Sequence, residues 1–172
     1  MSTRKPAFGH FLRIQPRYIH KCLKKGVPVM KVRDIMTKNV EVLNPFSKIS
    51  EAARKMIELN IGILPVSENG KVVGMVTDRD IAIRAVAEER HPPQELVNAI
   101  MTPDVHYCYE SQDIDEAAEI MRSNKIRRLV VLNENMELVG ICSLGDLAVE
   151  GKNDKLSGEV LREISKPSKP EE

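Results

Sequence analysis

Two places in the chain combine the residue types that a nucleotide site requires. In each, an apolar run ends at a hydroxyl and a carboxylate follows three residues later: Thr77 with Asp80, and Ser143 with Asp146. Two explanations remain open. The hydroxyl and the carboxylate can cap the helix that begins there. Alternatively, the hydroxyl and the free N–H groups of the helix N-terminus bind a phosphate, while the carboxylate accepts both hydroxyls of a ribose.

The two motifs are equivalent because most of the chain is an internal repeat. Residues 32–66 match residues 97–131 at a constant offset. Both copies contain Val-x-x-Ile-Met-Thr and then Ile-x-Glu-Ala-Ala-x-x-Met, and one residue is gained before the second hydroxyl motif. Two copies of one unit usually pack as a pseudo-symmetric pair, which places equivalent residues across a shared cleft. The function is therefore expected at that cleft.

The residue pattern of each copy predicts the element order β-α-β-β-α. Apolar residues at helical spacing predict the first long helix, and Asn69-Gly70 predicts a tight hairpin because both residues tolerate positive φ. Beyond the second copy, the apolar residues of 156–164 predict one or two amphipathic turns, and residues 166–172 are expected to be disordered. The predicted strands are 40–43, 63–66, 72–76, 128–132 and 138–142, and the predicted helices are 50–60, 78–90, 113–124 and 144–149.

Composition and charge narrow the function classes. Apolar residues make up 42% of the chain and aromatic residues only 3%, so the core must be aliphatic and base-stacking surfaces are scarce. Residues 1–30 hold seven Lys or Arg and no acid, a local charge of +7. The net charge of the whole chain is +1, so residues 31–172 carry a net charge of −6. A mildly acidic body is a poor nonspecific nucleic-acid binder. The basic leader resembles a transit peptide only loosely, and a basic arm or a loosely held extension explains it as well.

No catalytic or metal-binding motif is present in the sequence. The three cysteines, Cys22, Cys108 and Cys142, lack metal-type spacing, and no secretory segment precedes them, so reduced thiols and a cytoplasmic location are expected. No apolar run approaches the roughly 18–20 residues that cross a bilayer. The sequence lacks HExxH, CxxC and the phosphate-binding loop GxxxxGK[ST]. We therefore expect a protein that is not an enzyme and that holds no metal or resident cofactor.

The ordered set of motifs resembles the CBS domain family, twice over, across residues 32–150. The resemblance implies an α+β fold of two pseudo-symmetric β-α-β-β-α repeats packed through their sheets, and frequent association of two such pairs into a flat disc. It divides the chain into a basic extension, two repeats and a charged tail. The expected boundaries are 1–30, 31–92, 93–151 and 152–172.

The resemblance also implies ligands and the residues that hold them. Family members commonly bind AMP, ADP, ATP or S-adenosylmethionine in the clefts between repeats. Carried onto this chain, Thr77 or Ser143 would meet a phosphate, and Asp80 or Asp146 would hold the ribose. The segments from Thr37 to Val40 and from Thr102 to Val105 would supply backbone contacts to adenine. The expected apolar floor of the clefts is Ile63, Leu64 and Pro65, or Leu129 and Val130.

Two arginines distinguish the copies. Arg127 and Arg128 match positions where the family often places basic residues against phosphates, and a guanidinium suits that task through bidentate geometry. A solvated strand edge explains them equally well. The first copy has Gly62 and Ile63 there instead. The clefts should therefore be unequal, with one phosphate-rich site.

Three functions follow from these observations. The first is a stand-alone regulatory module, expected to be a homodimer, that binds an adenosyl ligand and signals to a partner protein. The second is a structural dimerisation or interaction module with no nucleotide ligand. The third, nucleic-acid binding through the basic leader, is disfavoured by the acidic body.

Overall fold

The computed structural model describes residues 29–151 and 154–167. The leader up to residue 28 and the tail from residue 168 lie outside the described residues, and so do the expectations made for them. The described chain forms two lobes, each with a small sheet and helices on one side of it. Lobe 1 is built on the first repeat and lobe 2 on the second.

Lobe 1 contains an antiparallel pair of strands, β1 (Ile63–Glu68) and β2 (Lys71–Thr77). Asn69 and Gly70 connect them at φ 52° and 78°, which confirms the predicted hairpin. The chain enters through α1 (Val32–Ile35) and α2 (Ile49–Leu59). After β2 follow the short α3 (Asp78–Asp80) and a π-helix (Ile81–Val86), so the predicted helix over 78–90 is irregular and ends early.

The predicted strand over 40–43 is absent, and only Leu43 bridges the sheet, in parallel with Val66. The reason is Pro65. In a parallel ladder the carbonyl oxygen of Glu41 would accept a hydrogen bond from the N–H of residue 65, and proline has no N–H. At the equivalent place in lobe 2, Val130 donates its N–H to His106 at 3.3 Å and a strand does form.

Lobe 2 follows the predicted plan more closely. Its sheet has β3 (Tyr107–Tyr109) parallel to β4 (Arg128–Leu132) and β5 (Leu138–Ser143) antiparallel to β4. A 3-10 turn (Val97–Ala99) precedes the sheet, and α4 (Ile114–Asn124) and α5 (Leu144–Val149) cover one face. The tail forms α6 (Asp154–Ile164), a helix of 11 residues and not the one or two turns expected.

The opening segments of the two repeats are exchanged between the lobes. Thr37 pairs with Ile141 of β5, and Thr102 pairs with Met75 of β2. The two buried side chains of α1 accordingly belong to the core of lobe 2, whereas Val97 and Ile100 belong to the core of lobe 1. Each exchanged segment passes close to the backbone of a strand, β5 in lobe 2 and β2 in lobe 1. The core residues contributed by the exchange are Val32, Ile35 and Met36 in lobe 2, and Val97 and Ile100 in lobe 1.

Two glycines leave room for the exchanged segments. A Cβ at Gly140 would lie 2.7 Å from the sulfur of Met36 and 2.8 Å from the carbonyl oxygen of Thr37. A Cβ at Gly74 would lie 2.7 Å from the sulfur of Met101. Any larger residue would push the crossing segment away from the strand.

The two lobes pack through their sheets, as predicted. A buried cluster forms between the sheets from Val72 of β2 and from Val130 and Leu132 of β4. Tyr107 and Tyr109 border this cluster, with ring centroids 5.7 Å apart in an edge-to-face arrangement. The α+β fold of two pseudo-symmetric repeats is confirmed.

Candidate functional site

Both hydroxyl–carboxylate pairs form capping boxes at the start of a helix. Thr77 Oγ1 accepts a bond from the Asp80 N–H at 3.0 Å, and Asp80 Oδ2 accepts from the N–H and the hydroxyl of Thr77 at 2.9 and 2.7 Å. Ser143 and Asp146 repeat this pattern at 3.1, 2.7 and 2.8 Å. The capping explanation therefore holds in both copies. It uses one carboxylate oxygen of each aspartate, Oδ2.

The other carboxylate oxygen, Oδ1, has different surroundings in Asp80 and in Asp146. Asp80 Oδ1 lies 3.4 Å from a guanidinium nitrogen of Arg84, whose other terminal nitrogen donates to the carbonyl oxygen of Ile100 at 2.6 Å. Asp146 makes no ion pair with any described residue. The position equivalent to Arg84 in the second copy is Glu150, which is an acid. The sequence interpretation gave Arg84 no role, although its i,i+4 spacing from Asp80 was a usable signal.

The exchanged segments assign each predicted residue to one of two clefts. Cleft 1 combines Thr77 and Asp80 with the segment that begins at Thr102, because Thr102 pairs with Met75. Ile63 lies opposite Thr77 in the strand pair, and Val105 packs against the buried cluster between the sheets. Pro65 pairs with Met75 at the buried end of this cleft. The structure thus brings together residues that lie up to 42 positions apart in the sequence.

Cleft 2 combines Ser143 and Asp146 with the segment from Thr37 to Val40, because Thr37 pairs with Ile141. Next to it lies a cavity of about 500 Å³, lined in part by Val40 and other residues of that segment. Asn39 adopts φ 55°, which turns the segment beside the strand. The predicted residues of the second motif are therefore adjacent to those of the first opening segment.

A single strand position makes the clefts chemically different. Ile63 lies opposite Thr77 on β1, whereas Arg128 lies opposite Ser143 on β4. Arg128 is on the same strand face as Val130, which faces the other sheet, and its side chain is exposed at the cleft. Arg127 is also exposed, and its carbonyl oxygen accepts a bond from the Leu144 N–H at 2.9 Å.

Two residues of the expected apolar floor face elsewhere. Leu64 and Leu129 alternate with the cleft-facing positions, and both are buried in the cores beneath the helices. Ile63 and Pro65 occupy the sheet-facing positions in lobe 1, and Val130 does so in lobe 2. The expected floor is thus reduced to these three side chains.

The cysteines of the described residues lie in the core. Cys108 and Cys142 are buried free thiols. Burial raises the pKa of both, for Cys142 to about 12, so neither forms a nucleophilic thiolate near neutral pH. Among residues 29–151 and 154–167, no group of three or more His, Cys, Asp or Glu side chains could hold a metal ion. Within the same ranges, no helix combines the length and apolar character needed to span a membrane.

Comparison with known proteins identifies this arrangement. The model of the CBS domain matches residues 32–86 and 97–152. The CBS domain-containing protein YhcV of Bacillus subtilis is 39% identical over 134 residues, which are 78% of this chain and 94% of that protein.

Two solved structures share the fold and contain adenosyl ligands. The CBS domain pair of protein MJ0100, in complex with 5′-methylthioadenosine and S-adenosyl-L-methionine, is 30% identical with a TM-score of 0.65, covering 74% of this chain and 100% of its own. CBSX2 in complex with AMP is 26% identical with a TM-score of 0.61, covering 73% and 98%. The repeat, the fold and these matches lead to one conclusion: the chain belongs to the CBS domain family and contains two CBS domains in tandem.

Proposed function

We propose that this protein is a regulatory module, not an enzyme, that binds an adenosyl ligand in cleft 2 and signals its presence to a partner protein. The observation that carries the proposal is the carboxylate of Asp146. Its capping box holds the group rigidly through Oδ2, and Oδ1 has no ion-pair partner among the described residues. A fixed carboxylate with a free oxygen is suited to accept a hydroxyl of a ribose. The adenosyl complexes of MJ0100 and CBSX2 support this choice of ligand.

The other residues of cleft 2 take complementary roles in the proposal. The backbone from Thr37 to Val40 contacts the adenine edge, and Val130 supplies apolar surface. Arg127 and Arg128 meet a 5′-phosphate through charge-assisted hydrogen bonds. The Ser143 hydroxyl, which now donates to Asp146, can rotate to donate to the same phosphate. AMP, ADP and ATP are therefore the ligands that we favour for cleft 2.

Cleft 1 is proposed as a weaker site for adenosyl compounds without a phosphate, such as S-adenosylmethionine. Ile63 replaces the cleft-facing arginine, and a ribose on Asp80 must compete with Arg84 for Oδ1. Thr77, Thr102, Val105 and Pro65 belong to this site in the proposal. Of the cations near Asp80, Arg84 already has two partners, and Arg79 is exposed to solvent on the same short helix.

The cellular setting of the proposal rests on fewer observations. The buried free thiols Cys108 and Cys142 fit a reducing compartment such as the cytoplasm. Signalling requires that the ligand favour one of two arrangements of the lobes, and a coupling of about 1–3 kcal/mol is typical. A homodimer is the assembly that we propose for the module.

Calorimetric titration with AMP, ATP, S-adenosylmethionine and 5′-methylthioadenosine tests the function. We expect saturable AMP binding that Asp146→Asn removes and that the matched variant Asp80→Asn leaves in place. Asparagine keeps an oxygen for the helix cap, so both variants should fold. Absence of heat with all four compounds, from folded protein, would refute the ligand-sensing function.

A second candidate function, an interaction module without a ligand, rests on the capping boxes themselves. Because each hydroxyl–carboxylate pair is already bonded to itself, both motifs also make sense as helix caps in an interaction module without a ligand. That function predicts that Asp146→Asn lowers the stability of the fold without any effect on ligand binding. The titration above separates the two.

A further inference from the structure

The hairpin between β4 and β5 places a methionine where lobe 1 has a glycine. Counted back from the strand that follows, Met136 is the equivalent of Gly70. Gly70 has φ 78° and Met136 has φ 63°. Glycine adopts this left-handed conformation without steric cost, whereas a Cβ makes it unfavourable. Among the described non-glycine residues with positive φ, Met136 is the only apolar one, so contacts of its side chain must compensate.

The side chain of Met136 lies against the buried cluster between the two sheets. It is half-buried there, as are Tyr107 and Tyr109 of β3. The Tyr109 hydroxyl donates a hydrogen bond to the sulfur of Met136, with 3.4 Å between Oη and Sδ. The equivalent of Tyr109 in the first copy is Asn44. Lobe 1 therefore has neither member of this pair.

Several contacts hold the Tyr109 hydroxyl beside the sulfur. The backbone N–H of Tyr109 donates to Gln112 Oε1 at 2.8 Å. The Tyr109 ring packs edge-to-face on Tyr107, with ring centroids 5.7 Å apart. On the other side, the Met136 N–H donates to the carbonyl oxygen of Asn133 at 3.0 Å. The hydroxyl and the thioether are thus positioned by the folded structure, although the two residues are 27 positions apart in the chain.

The other described methionines are less suited to react with a solute. Three are buried in the cores: Met36, Met56 and Met121. The sulfur of Met101 lies close to the strand backbone at Gly74. Met30 and Met75 are partly buried, as Met136 is, but no described side chain donates a hydrogen bond to their sulfur atoms. Met136 therefore combines partial exposure with a hydroxyl donor at its sulfur.

A hydroxyl beside a thioether favours oxidation of the sulfur by a hydroperoxide. The sulfur lone pair attacks one peroxide oxygen and the O–O bond breaks. The proton of the attacked oxygen moves to the leaving oxygen, so that hydrogen peroxide yields a sulfoxide and water. Negative charge develops on the leaving oxygen, where a positioned O–H donor stabilises it. The sulfoxide oxygen is then a stronger acceptor for the same hydroxyl than the thioether sulfur, which accepts only weakly.

We infer that Met136 is a preferred site of oxidation by hydroperoxides and that Tyr109 promotes the reaction at its sulfur. Oxidation replaces an apolar side chain by a polar one at the border of the cluster between the sheets. Val72 of lobe 1 and Val130 of lobe 2 both belong to that cluster, so the modification acts on the contact between the lobes. No ligand is involved, so failure of this inference and failure of the proposed function are distinguishable.

Exposure of the full chain to hydrogen peroxide, followed by digestion and peptide mass mapping over time, tests the inference. In the folded protein, the sulfoxide of Met136 should form faster than those of Met30, Met75 and Met101. Tyr109→Phe keeps the ring and removes the hydroxyl. This variant should slow the oxidation of Met136 about two- to tenfold, the rate equivalent of one hydrogen bond, and should leave the rates at Met30 and Met75 unchanged.

Oxidation of the unfolded chain in urea is the control for effects of local sequence. There the methionines should react at similar rates, and Tyr109→Phe should have no effect on Met136. If Met136 in the folded wild-type protein reacts no faster than Met30, Met75 and Met101, the inference is overturned, and this comparison needs no variant. An unchanged rate at Met136 in folded Tyr109→Phe would overturn it as well.

Discussion

Replacement of Arg128, the residue that distinguishes the two clefts, is the sharpest test of the proposed ligand chemistry. Arg128→Ile gives cleft 2 the side chain that Ile63 gives cleft 1. Arg128 is exposed and makes no ion pair with a described residue, and isoleucine suits a strand, so the free energy of unfolding should change little. Any loss of binding should then come from the ligand contact alone.

The expected magnitude follows from the lost contact. A hydrogen bond to a charged group contributes about 1.5–3 kcal/mol, which corresponds to roughly 10- to 150-fold in affinity. Solvent screening at an exposed guanidinium places the expectation near the lower limit, about tenfold. AMP should therefore bind about tenfold more weakly to the variant, whereas 5′-methylthioadenosine, which has no phosphate, should bind as before.

Calorimetry at low and at moderate salt provides the assay. The difference between AMP and 5′-methylthioadenosine should shrink as salt rises in the wild type and be nearly absent in Arg128→Ile. The reciprocal variant Ile63→Arg should strengthen AMP binding at cleft 1. Equal weakening of both compounds by Arg128→Ile, or no weakening of AMP, would refute the assignment of Arg128 to the phosphate.

Four further predictions concern the fold. Gly140→Ala should lower the free energy of unfolding, measured in urea, by about 1–3 kcal/mol because the added Cβ collides with the exchanged opening segment. The control Gly158→Ala has open space around it in α6 and should raise the free energy of unfolding by roughly 0.5–1 kcal/mol. Equal effects of the two variants would contradict the close passage of the opening segment at Gly140. Val160→Ala should cost about 1–3 kcal/mol in the same measurement if α6 is part of the lobe 2 core, and no change would mean that α6 is not seated there. Cys108 and Cys142 should resist alkylation, followed by peptide mass mapping, until the protein unfolds. Because burial raises the pKa of Cys142 from 9.0 to about 12, the stability due to its neutral thiol should be present below pH 9 and lost between pH 9 and 12, and a flat unfolding profile over that range would contradict this.

Local features of the sequence were sufficient to predict most elements. Strand β4 and helix α5 have the predicted bounds, and Asn69-Gly70 forms the predicted turn. These outcomes depend on side-chain periodicity and on backbone preferences within a few residues. The hydroxyl and carboxylate of each motif are also only three positions apart, so their capping geometry was accessible from sequence. Their role as ligand contacts stays a prediction.

Interactions between distant residues account for what sequence interpretation missed. The loss of the strand before Leu43 depends on Pro65, which acts through an absent N–H on a neighbouring segment. The spacing of Arg84 from Asp80 is local, but the bond from Arg84 to the carbonyl oxygen of Ile100 needs two distant segments to meet. Such contacts are set by packing, which no local pattern encodes.

The sequence by itself determined the repeat, the two equivalent motifs and the difference between Ile63 and Arg128, because these are properties of residue type and spacing. Only the tertiary structure decided which opening segment completes which cleft and which helical face α6 covers. The exchange of opening segments depends on glycines that let two backbones approach. The covering of lobe 2 by α6 depends on apolar and charged contacts, and none of the other described helices covers lobe 1 in the same way. Both outcomes arise from close packing between segments far apart in the chain.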